Sequence, residues 1–245
     1  MNNKFENLIP DIVNPSPDYY CTWQTQLYAT NDGKPLKQRS CIGEKQLFNK
    51  EKPYGWAYFY EKARGDLIIV MDDSWDVPLD GNPDYYGFLA LNEEKFPSFT
   101  GNGISNQEAM KLLSDKIKEI GWKALGGWVC VQKSALFPDV DEEAYFIERL
   151  KWAEYAKWGY WKVDWGEHLG DFEFRKRLSE LAHQYATTVV LENARVKEVI
   201  PYSDTYRTYD VPAIMSIPMT MEKLKIFGNA DKTESGFMGL INCED

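Results

Sequence analysis

Along the chain, apolar positions fall into two rhythms that alternate. The strongest continuous run is Asp66-Leu67-Ile68-Ile69-Val70-Met71. An unbroken apolar stretch of this length predicts a strand covered on both faces, as in a parallel sheet. The clearest helical period follows at residues 105–121. Met110, Leu113, Ile117 and Ile120 form one stripe there, Ser105 and Glu108 make a capping box, and Gly121 closes the helix. The same alternation continues with a strand over Ala124–Val131, a helix over 142–157 and a strand over Gly159–Asp164. A helix over Phe172–Tyr185 comes next, then a strand over Thr187–Leu191 that ends in Glu192-Asn193.

Upstream, Tyr19–Leu27 is aromatic and β-branched and predicts a first strand. Residues 41–64 carry a helix-like tract broken by Pro53 and Gly55, and Asp76–Ser98 is a long loop rich in Gly, Pro, Asn and Tyr. Loops of that length in a compact domain are commonly functional. Downstream, residues 201–210 read as a polar aromatic loop. Val211–Ile217 reads as a sixth strand, Met221–Phe227 as a short helix and Gly236–Ile241 as a seventh strand. The absence of hairpin signals and the strand–helix alternation predict parallel βαβ units. Seven strands in 245 residues fit a TIM-type (β/α)8 barrel, incomplete at the C-terminus, better than a Rossmann sheet. Residues 1–18, with three prolines, form an irregular lead-in, and 19–245 the barrel domain.

The organising stretch is Gly159-Tyr160-Trp161-Lys162-Val163-Asp164-Trp165. A helix is stopped by Gly159, and a short strand delivers Asp164 to its C-terminal end, where barrels place their chemistry. Taken alone, Asp164 reads as a cap for the next helix or a partner of Lys162. It is not alone. Parallel strands would bring Asp72, Asp73, Glu192 and Asp210 to the same rim, together with Trp75, Trp128, Lys162, Trp165, Tyr206 and Arg207. Carboxylates and aromatics around one cleft suit glycoside hydrolysis, which needs two carboxyl groups flanking the sugar. Two adjacent acids, Asp72-Asp73, leave open a Mg²⁺- or Mn²⁺-dependent barrel enzyme.

Charge and composition narrow the partners. The net charge is -10, the pI about 4.9, and no Lys/Arg cluster stands out, so nucleic acid is a poor partner. No apolar run reaches the length of a membrane span. The N-terminal residues lack a signal-peptide core, which leaves a cytosolic protein or one whose signal has been removed. The four cysteines, at 21, 41, 130 and 243, form no C-x-x-C pair. Cys130 and Cys243 read as buried thiols. With two histidines in the chain, a His-rich metal site is not expected, and His183, inside an amphipathic helix, reads as structural. No cofactor motif is present.

In order along the chain, Asp66–Trp75 (strand–Asp-Asp-x-Trp), Lys95-Phe96-Pro97, residues 121–128, Lys162-Val163-Asp164, Glu192 and Tyr206–Asp210 resemble the α-galactosidase-like glycoside hydrolases. These are families 27 and 36 of clan D, and the resemblance spans residues 55–215. It implies a retaining exo-glycosidase with Asp164 as nucleophile and Asp210 as acid/base, with Asp204 as the fallback. It further implies sugar contacts from Asp72, Asp73, Lys162, Glu192 and Arg207, with Trp75 and Trp128 as walls. Galactose, N-acetylgalactosamine and β-L-arabinopyranose all fit that family. Departures are the three-residue step from Arg207 to Asp210, Leu191-Glu192-Asn193 in place of Cys-Glu-Trp, and Trp165 where a cysteine often stands. The family's eighth strand and C-terminal β-sandwich are not found. A catalytically impaired sugar-binding relative or fragment is the alternative.

Overall fold

The computed structural model describes residues 17–207, apart from 29, 32–33, 36–40, 52–53 and 102. The expected strands at 211–217 and 236–241, the helix at 221–227, Asp210 and Cys243 lie outside the described residues. So does the lead-in up to residue 16.

Six strands form one parallel sheet: β1 (Tyr19–Cys21), β4 (Ile68–Met71), β5 (Ala124–Val129), β6 (Tyr160–Val163), β7 (Val190–Ala194) and β8 (Thr205–Arg207). Each pairs with the one before it in the chain. A small antiparallel pair, β2 (Thr30–Asn31) and β3 (Lys34–Pro35), branches off after α1 (Trp23–Tyr28). The remaining helices are α2 (Glu44–Phe48), α3 (Pro97–Thr100), α4 (Asn106–Ile120), α5 (Glu142–Tyr155) and α6 (Phe172–Tyr185). This is a curled, six-stranded part of a barrel with its helices outside.

The two faces of the sheet differ because alternate side chains point opposite ways. The outer face supplies Ile69, Met71, Leu125, Val129, Trp161, Val163 and Leu191 to the main core. There they meet Met110, Leu113 and Ile117 of α4, Phe146 and Leu150 of α5, and Leu178 and Leu181 of α6. The inner face holds a smaller apolar floor of Tyr19, Cys21, Ile68, Val70, Ala124 and Tyr160, with Trp23 and Val190 packed on it. Gly126 sits on that face because β6 runs so close. A Cβ there would lie 2.6 Å from the Tyr160 Cβ and 2.8 Å from its carbonyl.

Helix ends follow their caps. Ser105 Oγ accepts from Glu108 N, and Gly121 takes φ 113°. Asp141 and Asp171 cap α5 and α6, accepting from Ala144 N and Phe174 N.

Several expectations change. The first strand stops at Cys21, because the Thr22 carbonyl accepts from Gln26 N and starts α1. Gly159 does not end the preceding helix. α5 ends at Tyr155, and Lys157 takes the left-handed turn with φ 53°. Gly159 is small for another reason: a Cβ would stand 2.8 Å from that of Ala124. The strand expected at 187–191 lies at Val190–Ala194, so Glu192 and Asn193 are inside it. Part of the expected 201–210 loop is β8.

Candidate active site

The site grows from the inner face and its C-terminal rim. Val70 pairs with Gly126, Trp128 with Lys162, Lys162 with Glu192, and Glu192 with Thr205. Continuing that register sets Asp72 beside Trp128. One layer therefore carries Asp72, Trp128, Lys162, Glu192 and Thr205. One step further along the strands come Asp164, Ala194 and Arg207.

In the lower layer, Lys162 Nζ lies 3.0 Å from Asp72 Oδ2 and 3.3 Å from Cys21 Sγ, and the thiol donates to the same Asp72 oxygen at 3.0 Å. Glu192 is 0% exposed. A carboxylate buried that far needs full hydrogen bonding and a countercharge. The hydroxyls of Tyr19 and Tyr160 donate to its Oε2 at 3.0 and 2.8 Å, and Arg207 Nε donates to Oε1 at 3.1 Å.

Asp164 stands just past β6 and is 7% exposed. Arg195 Nε is 3.1 Å from its Oδ1. Arg207 Nη2 is 2.9 Å from Oδ2, to which the Trp128 indole N–H also donates at 3.3 Å. Burial pushes this carboxyl's pKa up, but Arg207 and then Arg195 pull harder, and the net shift is downward. Asp164 is an ionised carboxylate throughout the neutral range, as a nucleophile must be. Its backbone is fixed as well. Arg175, fully buried on α6, donates to the Asp164 carbonyl, to the carbonyls of His168 and Leu169 and to Asn193 Oδ1. Burial lowers the Arg175 pKa to about 10.

Asp164 neither caps α6, a role Asp171 fills, nor takes the Lys162 ammonium, which goes to Asp72. Trp128 lies inside the cluster, and its ring is 5.5 Å from that of Trp165, which meets Tyr86 at 5.4 Å. Trp23, half-buried, packs on the inner apolar floor.

Other expected site residues take their described partners in the turn after β4 or just before β8. Asp73 follows Asp72 in the turn after β4 and is 3% exposed. Its Oδ1 accepts from Ser74 Oγ, and its charge acts on Lys95 and Asp76 in the turn after β4. Trp75 is 1% exposed. It packs 5.1 Å from Trp158 in the outer core and donates to the Trp128 carbonyl at 2.9 Å. It buttresses β5 instead of walling a pocket. Asp204 precedes β8, three residues or ~10 Å back from Arg207. Its oxygens bind His183 of α6 and Leu191 N. Among the described residues, no three His, Cys, Asp or Glu side chains converge as ligands for a metal. A groove of about 800 Å³ lined by Phe48, Tyr54, Phe59 and Phe99 includes none of the carboxylate cluster.

Sequence reasoning missed Cys21, Tyr19, Tyr160, Arg175 and Arg195. For Arg175 a signal existed. It shares a stripe with Leu178, Ser179 and Ala182, all buried, at helical spacing.

No family model and no curated protein matches the chain. Solved structures do. A β-L-arabinopyranosidase of glycoside hydrolase family 27 from Geobacillus stearothermophilus superposes with a TM-score of 0.52 at 17% identity, over 76% of this chain and 54% of its own. A candidate α-galactosidase of Bacteroides fragilis superposes with a TM-score of 0.52 at 14% identity, over 88% of this chain and 45% of its own. The chain thus spans about half the length of the solved proteins it matches. The fold is shared with α-galactosidase-like glycoside hydrolases, as the ordered motifs anticipated.

Proposed function

We propose that this chain forms most of the (β/α)8 barrel of a retaining glycoside hydrolase acting on a terminal α-galactosyl or related sugar such as β-L-arabinopyranose. The observation that carries the reading is Asp164. It is ionised, fixed through both its backbone and its carboxylate, and set at the C-terminal rim of the inner face beside the buried Asp72–Lys162 pair. In the proposed reaction an Asp164 oxygen attacks the anomeric carbon as the aglycone oxygen departs. Asp210, three residues beyond Arg207, supplies the proton to that oxygen and then takes one from the water that frees the sugar. Asp72 and Lys162 hold the sugar hydroxyls, and Trp128 and Trp165 face its C–H surface.

The test is hydrolysis of aryl α- and β-glycosides, beginning with α-galactoside and β-L-arabinopyranoside, with Asp164→Asn as control. Turnover that disappears in the variant supports the reading. Sugar binding with no turnover on any member makes the protein a binding relative instead.

A further inference from the structure

Beside the buried Asp72–Lys162 pair lies a thiol that the proposed reaction does not use. Cys21 ends β1 on the inner face. Its Sγ donates to Asp72 Oδ2 at 3.0 Å, and Lys162 Nζ stands 3.3 Å from the same sulfur. Lys162 Nζ is also 3.0 Å from Asp72 Oδ2. Sulfur, nitrogen and oxygen close a triangle in which each atom touches the other two. Whatever else surrounds them, these three atoms are in place to react with one another.

A cation beside a sulfur favours the thiolate, and the thiolate is the form that peroxides oxidise. The Asp72 carboxylate, which accepts the thiol hydrogen, is a base placed to remove it. Cys41 has a different setting. It donates to the Gln26 carbonyl at 3.3 Å, and burial pushes its pKa up to about 11, which keeps it a thiol. Cys21 is 1% exposed. A small oxidant reaches it by the path through which sugar hydroxyls would reach Asp72 and Lys162.

We infer that Cys21 and Lys162 are a modification site, joined by a peroxide into a sulfur–nitrogen bridge that shuts the sugar-binding site. In the first step Asp72 takes the thiol proton and the thiolate attacks one peroxide oxygen. The O–O bond breaks, sulfur is oxidised to a sulfenic acid, and the departing hydroxide takes the proton back from Asp72 as water. In the second step Asp72 takes one proton from the Lys162 ammonium. The freed nitrogen lone pair attacks sulfur, the S–O bond breaks, and the hydroxyl leaves with a second nitrogen proton as water. One peroxide is reduced to two waters, and an S–N bond stands where a thiol and an ammonium stood. Two equivalents of an external thiol reverse it, returning Cys21 and Lys162 and leaving as their disulfide. The bond itself is independent of what the site does. Its effect on turnover rests on the glycosidase reading, in which Lys162 holds a sugar hydroxyl.

The experiment treats the full chain with dilute hydrogen peroxide, blocks remaining thiols under denaturing conditions, and digests it for mass spectrometry. The peptide holding Cys21 should appear joined to the one holding Lys162, lighter by two hydrogen atoms than their sum. Dithiothreitol should separate them, and Cys21→Ser, which keeps a donor for Asp72, should not form the joined species. Hydrolysis of the aryl glycoside that the untreated protein turns over best should fall roughly tenfold or more with bridging, the scale of one lost charged hydrogen bond, and return with dithiothreitol. Cys21→Ser should keep its own untreated rate through the same treatment. A Cys21 that stays a thiol, or that stops at sulfenic or sulfinic acid with no joined peptide, overturns the inference and leaves the glycosidase reading standing. Bridging with turnover unchanged overturns the shut-off. Bridging in a protein that turns over no glycoside before treatment bears out the modification site and overturns the glycosidase reading.

Discussion

Arg207 Nη2 stands 2.9 Å from Asp164 Oδ2, while its Nε reaches Glu192 Oε1 at 3.1 Å. One guanidinium therefore ties the rim carboxylate to the fully buried one beneath it. Two consequences differ in kind, one structural and one chemical.

The structural one concerns Glu192. Arg207 is a charged partner of this buried carboxylate, whose other oxygen accepts from the Tyr19 and Tyr160 hydroxyls. Arg207→Gln should lower the unfolding free energy by about 3–5 kcal/mol. The double change Arg207→Leu with Glu192→Leu should recover most of that, since it removes both charges together. Urea denaturation of the three proteins measures it. A loss under about 1 kcal/mol in the single variant would place the ion pair among those that contribute little.

The chemical one concerns Asp164. Asp164→Asn is nearly isosteric and should abolish turnover with the fold kept. It should also change how stability depends on pH. The folded-state pKa of Asp164 lies below its ordinary value. Its contribution is therefore present above about pH 4 and lost as pH falls through the depressed folded value. The stability gap between wild type and Asp164→Asn should thus be widest near neutrality and shrink under acid. A gap independent of pH would mean that the two arginines do not hold the carboxylate as described.

A second buried charge behaves oppositely. Asp76, in the turn after β4, accepts from Leu89 N at 2.9 Å. Burial pushes its carboxyl up to about 7, helped by the nearby Asp73 charge and opposed by the Leu89 hydrogen bond and Lys95. A raised carboxyl pKa contributes stability that is fully present below the unfolded value near 4 and fades as pH rises through about 7. Asp76→Asn keeps an acceptor for Leu89 N and removes the titration. The variant should gain stability relative to wild type between pH 5 and pH 9, followed by thermal melts at each pH. No relative gain would show that Asp76 is ionised in the fold at both ends of that range.

Gly126 offers a purely steric check. An added methyl would meet the Tyr160 backbone and Cβ inside 3 Å, and neither can rotate away. Gly126→Ala should cost about 1–3 kcal/mol, as overpacked sites do. Tyr160 carries a hydrogen bond to Glu192, so the floor of the site should shift with it. Gly103, where a Cβ would meet nothing within 4 Å, is the poor comparison because its φ of 76° adds backbone strain. Gly170, equally open, is the better control and should tolerate alanine.

Much of this is legible in the sequence, because periodicity reports which side of an element is buried. The helices at 106–120, 142–155 and 172–185 and the strands around Ile69, Leu125 and Trp161 follow from it directly. The rim carboxylates Asp72 and Asp164 followed from strands that end in acids. What the sequence hid was of two kinds. Short strands such as β8, three residues of Thr-Tyr-Arg, carry too little pattern to separate from a loop, since they are fixed by the neighbouring edge of the sheet. And arginine reads as solvent-facing by default, whereas Arg175 and Arg149 are buried on helix faces, held by carbonyls and aromatic rings. Trp75 misled in the other direction. An aromatic beside two acids suggests a ligand wall, but the side-chain alternation after β4 turns it into the outer core.

The order of strands in the sheet is the order of strands in the chain. Among the described strands, each one after β1 therefore finds its partner edge already made by the strand before it. Loop closures stay short, which favours quick, stepwise assembly. Growth from the ribosome can follow the same path, one strand–helix unit at a time. The carboxylate cluster, in contrast, draws on β1, β4, β6, β7 and β8 together, so it becomes complete only when the last of these docks. Folding intermediates of this protein should accordingly hold a helix-covered sheet before they can hold a sugar.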